Sequence, residues 1–293
     1  RQAGVAIEAQ AGRGYALAQP LDLLDGDAIR SALPATVRDG LSTLDVAWSL
    51  DSTNARLLAT PGAAAVQVLL AERQTGGRGR RGRPWASPLA ANLYLSVARG
   101  FDGGLARLGG LSLVAGIAIA DALHDLGLAH TRLKWPNDLV LRDDDGGLRK
   151  LGGILVEGGG EHGGPVRAVI GIGLNVRMPR HAAGAIDQPW TDLATGLGDA
   201  TPSRNALAAA LLERLLPAMQ QFDRAGLAPF LPAYARHDAL AGQSVVVHAP
   251  HGEDTGIALG LADDGALRVR FDTGGERSLH AGDISLRQAV RHG

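Results

Sequence analysis

From Gln74 the chain reads Gln-Thr-Gly-Gly-Arg-Gly-Arg-Arg-Gly-Arg-Pro-Trp, ending at Trp85. Four arginines and three glycines fall in the seven positions from Gly77 to Arg83. Guanidinium groups grip carboxylate or phosphate oxygens two at a time, and glycine lets backbone amides approach an anion closely. So charged a segment repels itself and has no apolar anchor before Trp85. It is expected to be mobile alone and to order around an anionic ligand. A solvated basic loop or a nucleic-acid patch is the competing reading. The lysines add to the case. Only Lys134 and Lys150 stand among the 29 basic residues, and an ammonium is a compact point charge where guanidinium is a planar fork. Lysine kept in an arginine-writing chain hints at a task that arginine does badly.

Both lysines sit in segments with further polar or glycine signals. Lys134-Trp135-Pro136-Asn137-Asp138 sets one beside an amide and a carboxylate at a strand end, and Lys150-Leu151-Gly152-Gly153-Ile154-Leu155-Val156-Glu157 sets the other before a glycine pair. Gly171-Ile172-Gly173-Leu174-Asn175-Val176 closes another apolar strand with two glycines and an amide. Glycine inside a strand marks a bulge or a close approach. Upstream, Asp51-Ser52-Thr53-Asn54 follows a strand, where such residues cap a helix or give a small uncharged ligand its donors and acceptors. The run from Gly77 to Gly82 matches a dinucleotide fingerprint by letter, but Pro84 to Pro88 follows it instead of an amphipathic helix. A phosphate loop ending in Gly-Lys-Ser/Thr is also absent.

The elements that must carry these residues read as mixed α/β. Strands are expected near 44–49, 65–72, 92–98, 131–135, 138–142, 148–157 and 166–174, with a helix over 104–126 and an acidic turn at Asp143 to Gly147. A second helix starts at Ser203 and runs to Gly226 with a kink at Pro217, followed by a short helix between Pro229 and Pro232. Strands at 245–247, 257–261, 267–271 and 284–286 suggest a small barrel, and residues 1–19 read as a hairpin turning at Gly12-Arg13-Gly14. Of the 293 residues, 45% are hydrophobic and 20% charged, the balance of a globular chain. A net charge of -1 leaves no global field for nucleic acid or acidic membranes, and the lack of cysteine removes thiol chemistry and disulfides. The apolar run Leu108 to Ala120 is too short for a bilayer, which needs about 20 residues. With Arg1 first and no leader pattern, a cytoplasmic protein missing its natural start is expected.

In order and spacing, the segments Gly77 to Trp85, Lys134 to Leu139, Lys150 to Glu157 and Gly171 to Val176 resemble those of the biotin protein ligases, from about Leu44 to the C-terminus. The resemblance implies an α/β (α+β) fold, in which a mixed-sheet catalytic domain of the biotin/lipoate ligase type (44–238) precedes a small SH3-like β-barrel (239–293). Residues 1–20 are similar to the wing of a winged helix-turn-helix domain, with a linker over 21–43. Without the helices that enter a groove, no DNA binding is expected. Members of the family join biotin to ATP with Mg2+ to give biotinyl-5'-AMP, then pass biotin to a lysine of a biotin carboxyl carrier protein, an acetyl-CoA carboxylase subunit.

By this resemblance Lys150 and Arg80 would be catalytic. Ser52, Thr53, Asn54, Gln74, Arg78, Gly79, Arg80, Lys150 and Gly153 would bind biotin. Arg78, Arg80, Arg83, Trp85, Asn137, Gly171, Gly173 and Asn175 would hold ATP or the adenylate, and Asp138 would meet the metal. Pro84 stands where relatives often carry a basic residue. The resemblance also implies ligand-promoted homodimers. The competing functions are a lipoate-type ligase and a biotin-sensing repressor that would need the missing DNA-binding helices.

Overall fold

The computed structural model describes residues 7–10, 12, 14–17, 20–60, 65–102, 104, 108–160, 166–179, 182, 184, 186–249, 252–281 and 285–288. Val5, Arg13 and Ile284, which the expected strands and turn include, lie outside them. Strands β1 (Ile7–Gln10) and β2 (Gly14–Leu17) form the expected antiparallel hairpin, with Ile7 opposite Leu17. Gly12 and Gly14 turn it at φ 75° and 86°, which glycine adopts without strain.

A seven-stranded mixed sheet carries the centre of the molecule. Its strands are β3 (Leu41–Ala47), β4 (Val66–Ala71), β5 (Leu93–Phe101), β6 (Arg132–Lys134), β7 (Asp138–Arg142), β8 (Leu148–Gly160) and β9 (Val166–Leu174). They lie in the order β3-β4-β5-β9-β8-β7-β6, and only β3 and β4 run parallel. Side chains alternate between the two faces of a strand. Leu70, Leu95, Ile170, Ile172 and Ile154 point into the main core, together with Ile119, Leu123, Leu211 and Leu215 of the covering helices. The opposite face is left for the short helix α3 (Thr53–Ala59) and for a cleft.

Residues 21–43 differ from the expected linker. They form α1 (Gly26–Ala32) and α2 (Ala35–Arg38) and lead directly into β3. Ile29, Leu33, Val37 and Leu41 recur every four residues and are all buried in the main core. The Asp25 carboxylate caps α1 by accepting from the Asp27 and Ala28 amides. Arg204 fixes the same segment from the other side. Its buried guanidinium donates to the Asp22 carbonyl, to Asn92 O at 3.1 Å and to Glu72 Oε2 at 2.6 Å.

The first long helix, α4, spans Leu111–Asp125 instead of starting at 104, because Gly110 at φ 86° interrupts the backbone just before it. From Leu111 to Ala120 it is apolar on nearly all sides, as suits a helix sandwiched between a sheet and another helix, and its charges, Asp121 and Asp125, fall in the last turns. A short α5 (Leu193–Leu197) precedes α6 (Arg204–Ala225), which Ser203 caps and which continues through Pro217, and α7 (Leu231–His237) follows. The C-terminal module is a five-stranded antiparallel sheet: β10 (Ser244–Ala249), β11 (Gly252–Leu261), β12 (Leu267–Phe271), β13 (Glu276–Leu279) and β14 (Ser285–Gln288), ordered β13-β12-β11-β10-β14. Strand β13 has no counterpart among the expected strands. Among the described residues its edge and that of β14 are not paired with each other, so the module is an antiparallel sheet whose barrel closure is not formed by those two strands. Trp135 Nε1 donates to Gly265 O at 3.0 Å and ties this module to the larger sheet. Among the described residues no helix is long and apolar enough to cross a membrane.

Candidate active site

Strands β7 and β8 pair Asp138 with Gly153 and Val140 with Lys150, which leaves Leu151 as an extra residue on β8. Residues directly opposite one another share a face, so this bulge turns Lys150 to the side that Gly153 and Asp138 occupy. Glycines pave that face further. Gly153 lies opposite Gly173, and Leu155 opposite Gly171. A Cβ on Gly173 would stand 2.5 Å from Trp85 Cε2, and one on Gly171 would overlap the Asn54 side chain. The missing side chains are what let the Trp85 indole and the Asn54 amide lie against the sheet. Above this floor opens a cleft of about 1200 Å3, more than one small ligand fills.

The polar end of the cleft is built where β3 runs into α3. Ser52 Oγ caps α3 by accepting from the Ala55 amide at 3.4 Å. Gln74 Oε1 accepts from Thr53 N at 2.8 Å and Thr53 Oγ1 at 3.0 Å, which leaves its Nε2 as the group that can serve a ligand. Asn54 Nδ2 donates to Glu157 Oε2 at 2.8 Å and to Leu155 O at 3.2 Å. Buried Ser96 places Oγ 2.6 Å from Asn54 Oδ1 and 2.7 Å from Thr53 Oγ1.

Cations line the other end. Lys150 Nζ is 2.7 Å from Asp138 Oδ1 and 5.5 Å from the centre of the Trp85 ring. Arg80 donates to Asn137 Oδ1 at 3.4 Å and to the Ala281 carbonyl of the C-terminal module. Burial pushes the Arg80 guanidinium down from its ordinary value, with the Asp138 carboxylate opposing. Arg78 pairs with Glu157 at 3.0 Å. The loop expected to be mobile carries its own braces: Gly79 N donates to Arg83 O at 2.8 Å and Trp85 N to Gly77 O at 2.9 Å. Between them Arg81 and Gly82 take φ of 58° and 70° in one tight turn. Trp85 Nε1 is buried with no acceptor among the described residues, a donor that a ligand could use.

Two cations in a half-buried cleft can draw two anions together, since charge interactions strengthen as water is excluded. A magnesium ion usually takes one or two protein carboxylates plus substrate phosphates. Asp138 fits such a partial role. Among the described residues no group of three His, Cys, Asp or Glu converges, so the nucleotide phosphates would supply the remaining oxygens.

Comparison with known proteins agrees with this geometry. Residues 49–175 match the biotin/lipoate A/B protein ligase family, and residues 241–287 match the biotin protein ligase C-terminal domain. The bifunctional ligase/repressor BirA of Salmonella typhimurium is 40% identical over 290 residues, covering 99% of this chain and 86% of that protein. The chain belongs to the biotin protein ligase family. The biotin–acetyl-CoA-carboxylase ligase of Mycobacterium tuberculosis is 40% identical over 255 residues, 84% of this chain and 89% of that one. The biotin protein ligase of Aquifex aeolicus in complex with biotin and ATP superposes with a TM-score of 0.70 at 26% identity, covering 85% of this chain and 100% of that one.

In this biotin protein ligase family member the cleft gathers Ser52, Thr53, Asn54, Gln74, Arg78, Gly79, Arg80, Arg83, Trp85, Asn137, Asp138, Lys150, Gly153, Gly171 and Gly173. Asn175 is placed elsewhere. It is buried behind the wall, where Nδ2 donates to Thr191 O at 3.0 Å and helps hold the segment whose Pro189 carbonyl accepts from Lys150 N. Sequence reasoning assigned no role to Ser96, Glu157, Gln243 or the wall residues Asp187, Gln188 and Pro189. Glu157 carried a signal as the acid closing the Lys150 strand motif. Ser96 carried a weaker one, a hydroxyl inside the apolar run Leu93 to Val97.

Proposed function

We propose that this chain activates biotin with ATP, forming biotinyl-5'-AMP and pyrophosphate, and passes the biotinyl group to a lysine of a biotin carboxyl carrier protein. The observation that carries this reading is one continuous cleft with a neutral polar pocket at one end and Lys150 with Arg80 at the other, separated by the Trp85 indole. Thr53 and Gln74 would meet the ureido ring. A carboxylate oxygen of biotin attacks the α-phosphorus, and the bond to pyrophosphate breaks. Two anions must meet for this, so Arg80 and Lys150 offset their repulsion and the charge that grows in the transition state. Magnesium entering with the nucleotide beside Asp138 would neutralise phosphate charge. In the second step the carrier lysine amine attacks the acyl carbon and AMP departs, Lys150 remaining within reach of the phosphate oxygens.

This reading is extended to a cytoplasmic protein whose copies pair when ligand is bound, which sedimentation with and without biotin plus ATP tests. The activity itself is tested by exchange of labelled pyrophosphate into ATP. Exchange that requires biotin supports the reading. Exchange with lipoate alone assigns the chain to the sister ligases, and exchange with neither refutes adenylation.

A further inference from the structure

Glu157 ends the Lys150 strand motif on the same face of β8 as Gly153 and Leu155, beside the polar pocket. Each of its oxygens has one partner: Oε2 accepts from Asn54 Nδ2 at 2.8 Å, and Oε1 from Arg78 Nη2 at 3.0 Å. Asn54 belongs to the pocket and Arg78 to the arginine loop, so a single carboxylate joins two segments that are otherwise 24 residues apart in sequence. The chain of contacts continues. Asn54 Oδ1 meets Ser96 Oγ at 2.6 Å, Ser96 meets Thr53 Oγ1 at 2.7 Å, and Thr53 meets Gln74 Oε1 at 3.0 Å. The loop arginine is thereby linked through close polar contacts to the groups that would face the ureido ring, the single Ser96 proton being shared between Asn54 Oδ1 and Thr53 Oγ1.

We propose that Glu157 is a positioning residue for biotin, holding Asn54 and Arg78 in register so that the pocket and the arginine loop act as one unit. This rests on the biotin ligase reading. Its chemistry follows from counting acceptors: Asn54 and Arg78 both donate, and only a carboxylate offers two acceptor oxygens in that plane. A glutamine has one, so Glu157→Gln must lose one partner and turn an N–H toward the other. Both of the Asn54 N–H groups are also spent on Glu157 and Leu155 O. Asn54 therefore acts as a brace that fixes Ser96 and Thr53, and losing Glu157 lets that brace rotate. Of its two partners Asn54 belongs to the pocket and Arg78 to the loop that serves both ends, while Glu157 itself bonds neither Lys150 nor Arg80, so the larger effect falls on biotin.

The experiment compares parent, Glu157→Gln, Glu157→Asp, Arg78→Ala and the Arg78→Ala/Glu157→Gln double variant. It uses biotin-dependent pyrophosphate exchange and direct calorimetric titration with biotin. Glu157→Gln is expected to raise the biotin KM and Kd about tenfold while the ATP KM stays within twofold. Glu157→Asp, which keeps two acceptors, recovers part of the loss. The two single changes should combine to less than the product of their separate effects, because both break the same contact. A Glu157→Gln protein with parental biotin affinity overturns the proposal, as does a KM change shared equally by ATP, or effects that multiply independently. If Glu157→Gln does not fold, the Glu157→Asp titration decides alone, and parental affinity there overturns the proposal. Failure of the parent to catalyse biotin-dependent exchange refutes the underlying reading instead, a result distinct from all of these.

Discussion

Replacing Gly173 with alanine tests whether the glycine floor exists to seat Trp85. The backbone there is of a kind that alanine adopts, so the substitution acts through space alone. The new Cβ would stand 2.5 Å from Trp85 Cε2 and 2.7 Å from both Cζ2 and Nε1. Carbon atoms rest about 3.5 Å apart or more, so the indole must retreat by about 1 Å. A rigid core would resist at a cost of about 1–3 kcal/mol. Trp85 instead sits on a loop held by few bonds, and the expected loss of stability is below about 1 kcal/mol. Activity should suffer far more, because a displacement of about 1 Å at a reacting site costs on the order of 100-fold. The assays are the initial rate of biotin-dependent pyrophosphate exchange, a thermal melt, and Trp85 emission taken against Trp85→Phe counterparts. Gly159→Ala serves as the control, since nothing lies within 4 Å of a Cβ there, and it should match the parent. A Gly173→Ala protein with the parental exchange rate and unchanged Trp85 emission refutes the reasoning.

Lys150→Arg keeps the charge but cannot place one compact ammonium between carboxylate and phosphate oxygens. The exchange rate should fall by about 30-fold to 1000-fold, or ~2–4 kcal/mol, with the melt unchanged, and a rate within about threefold of the parent removes Lys150 from catalysis. Arg204→Ala would strand the buried Glu72 carboxylate and is expected to cost about 3–5 kcal/mol in urea unfolding; a change under about 1 kcal/mol contradicts this. Burial pushes the His237 imidazole below its ordinary 6.5, with Asp121 opposing. The unfolded chain therefore takes up its proton first as pH falls, and stability present above about 6.5 is lost below it. The melting temperature should drop more between pH 7.5 and 5.5 in the parent than in His237→Gln, and equal drops argue against it. Proteolysis between Arg78 and Arg83 should slow when biotin and ATP are added together. Equal cleavage in both states would mean that the loop does not close on ligand.

The cleft was largely legible because its chemistry is compositional: a cluster of arginines, two lysines in a chain that avoids them, and glycines inside apolar strands. What escaped depended on three-dimensional register. That Lys150 and Gly153 share a face requires the bulge at Leu151, which no alternation pattern announces. Asn175 looks like a ligand donor in one dimension, yet it points behind the wall to Thr191 O. The linker over 21–43 follows from the winged-helix resemblance alone, and the four-residue spacing of Ile29, Leu33, Val37 and Leu41 is the signal in the sequence that points instead to helices packed on the core. The start of α4 was misplaced because glycine at 110 stops a helix only through its φ, a property that the letter permits but does not state.

The C-terminal module reaches the cleft through main-chain oxygens: the Gly265 carbonyl accepts from Trp135 Nε1, and the Ala281 carbonyl accepts from Arg80. Every residue type supplies such an oxygen, so position 281 can drift in identity while its placement stays fixed, whereas position 265 is held to glycine by a φ of 85° and by Leu227 Cδ2 at 2.9 Å from where a Cβ would stand. Chimeras that exchange this module between relatives would therefore succeed or fail according to backbone path, with little regard to percentage identity. A transplanted module that folds well but carries its carbonyls an ångström astray would leave Arg80 unheld, and the hybrid would be stable and slow.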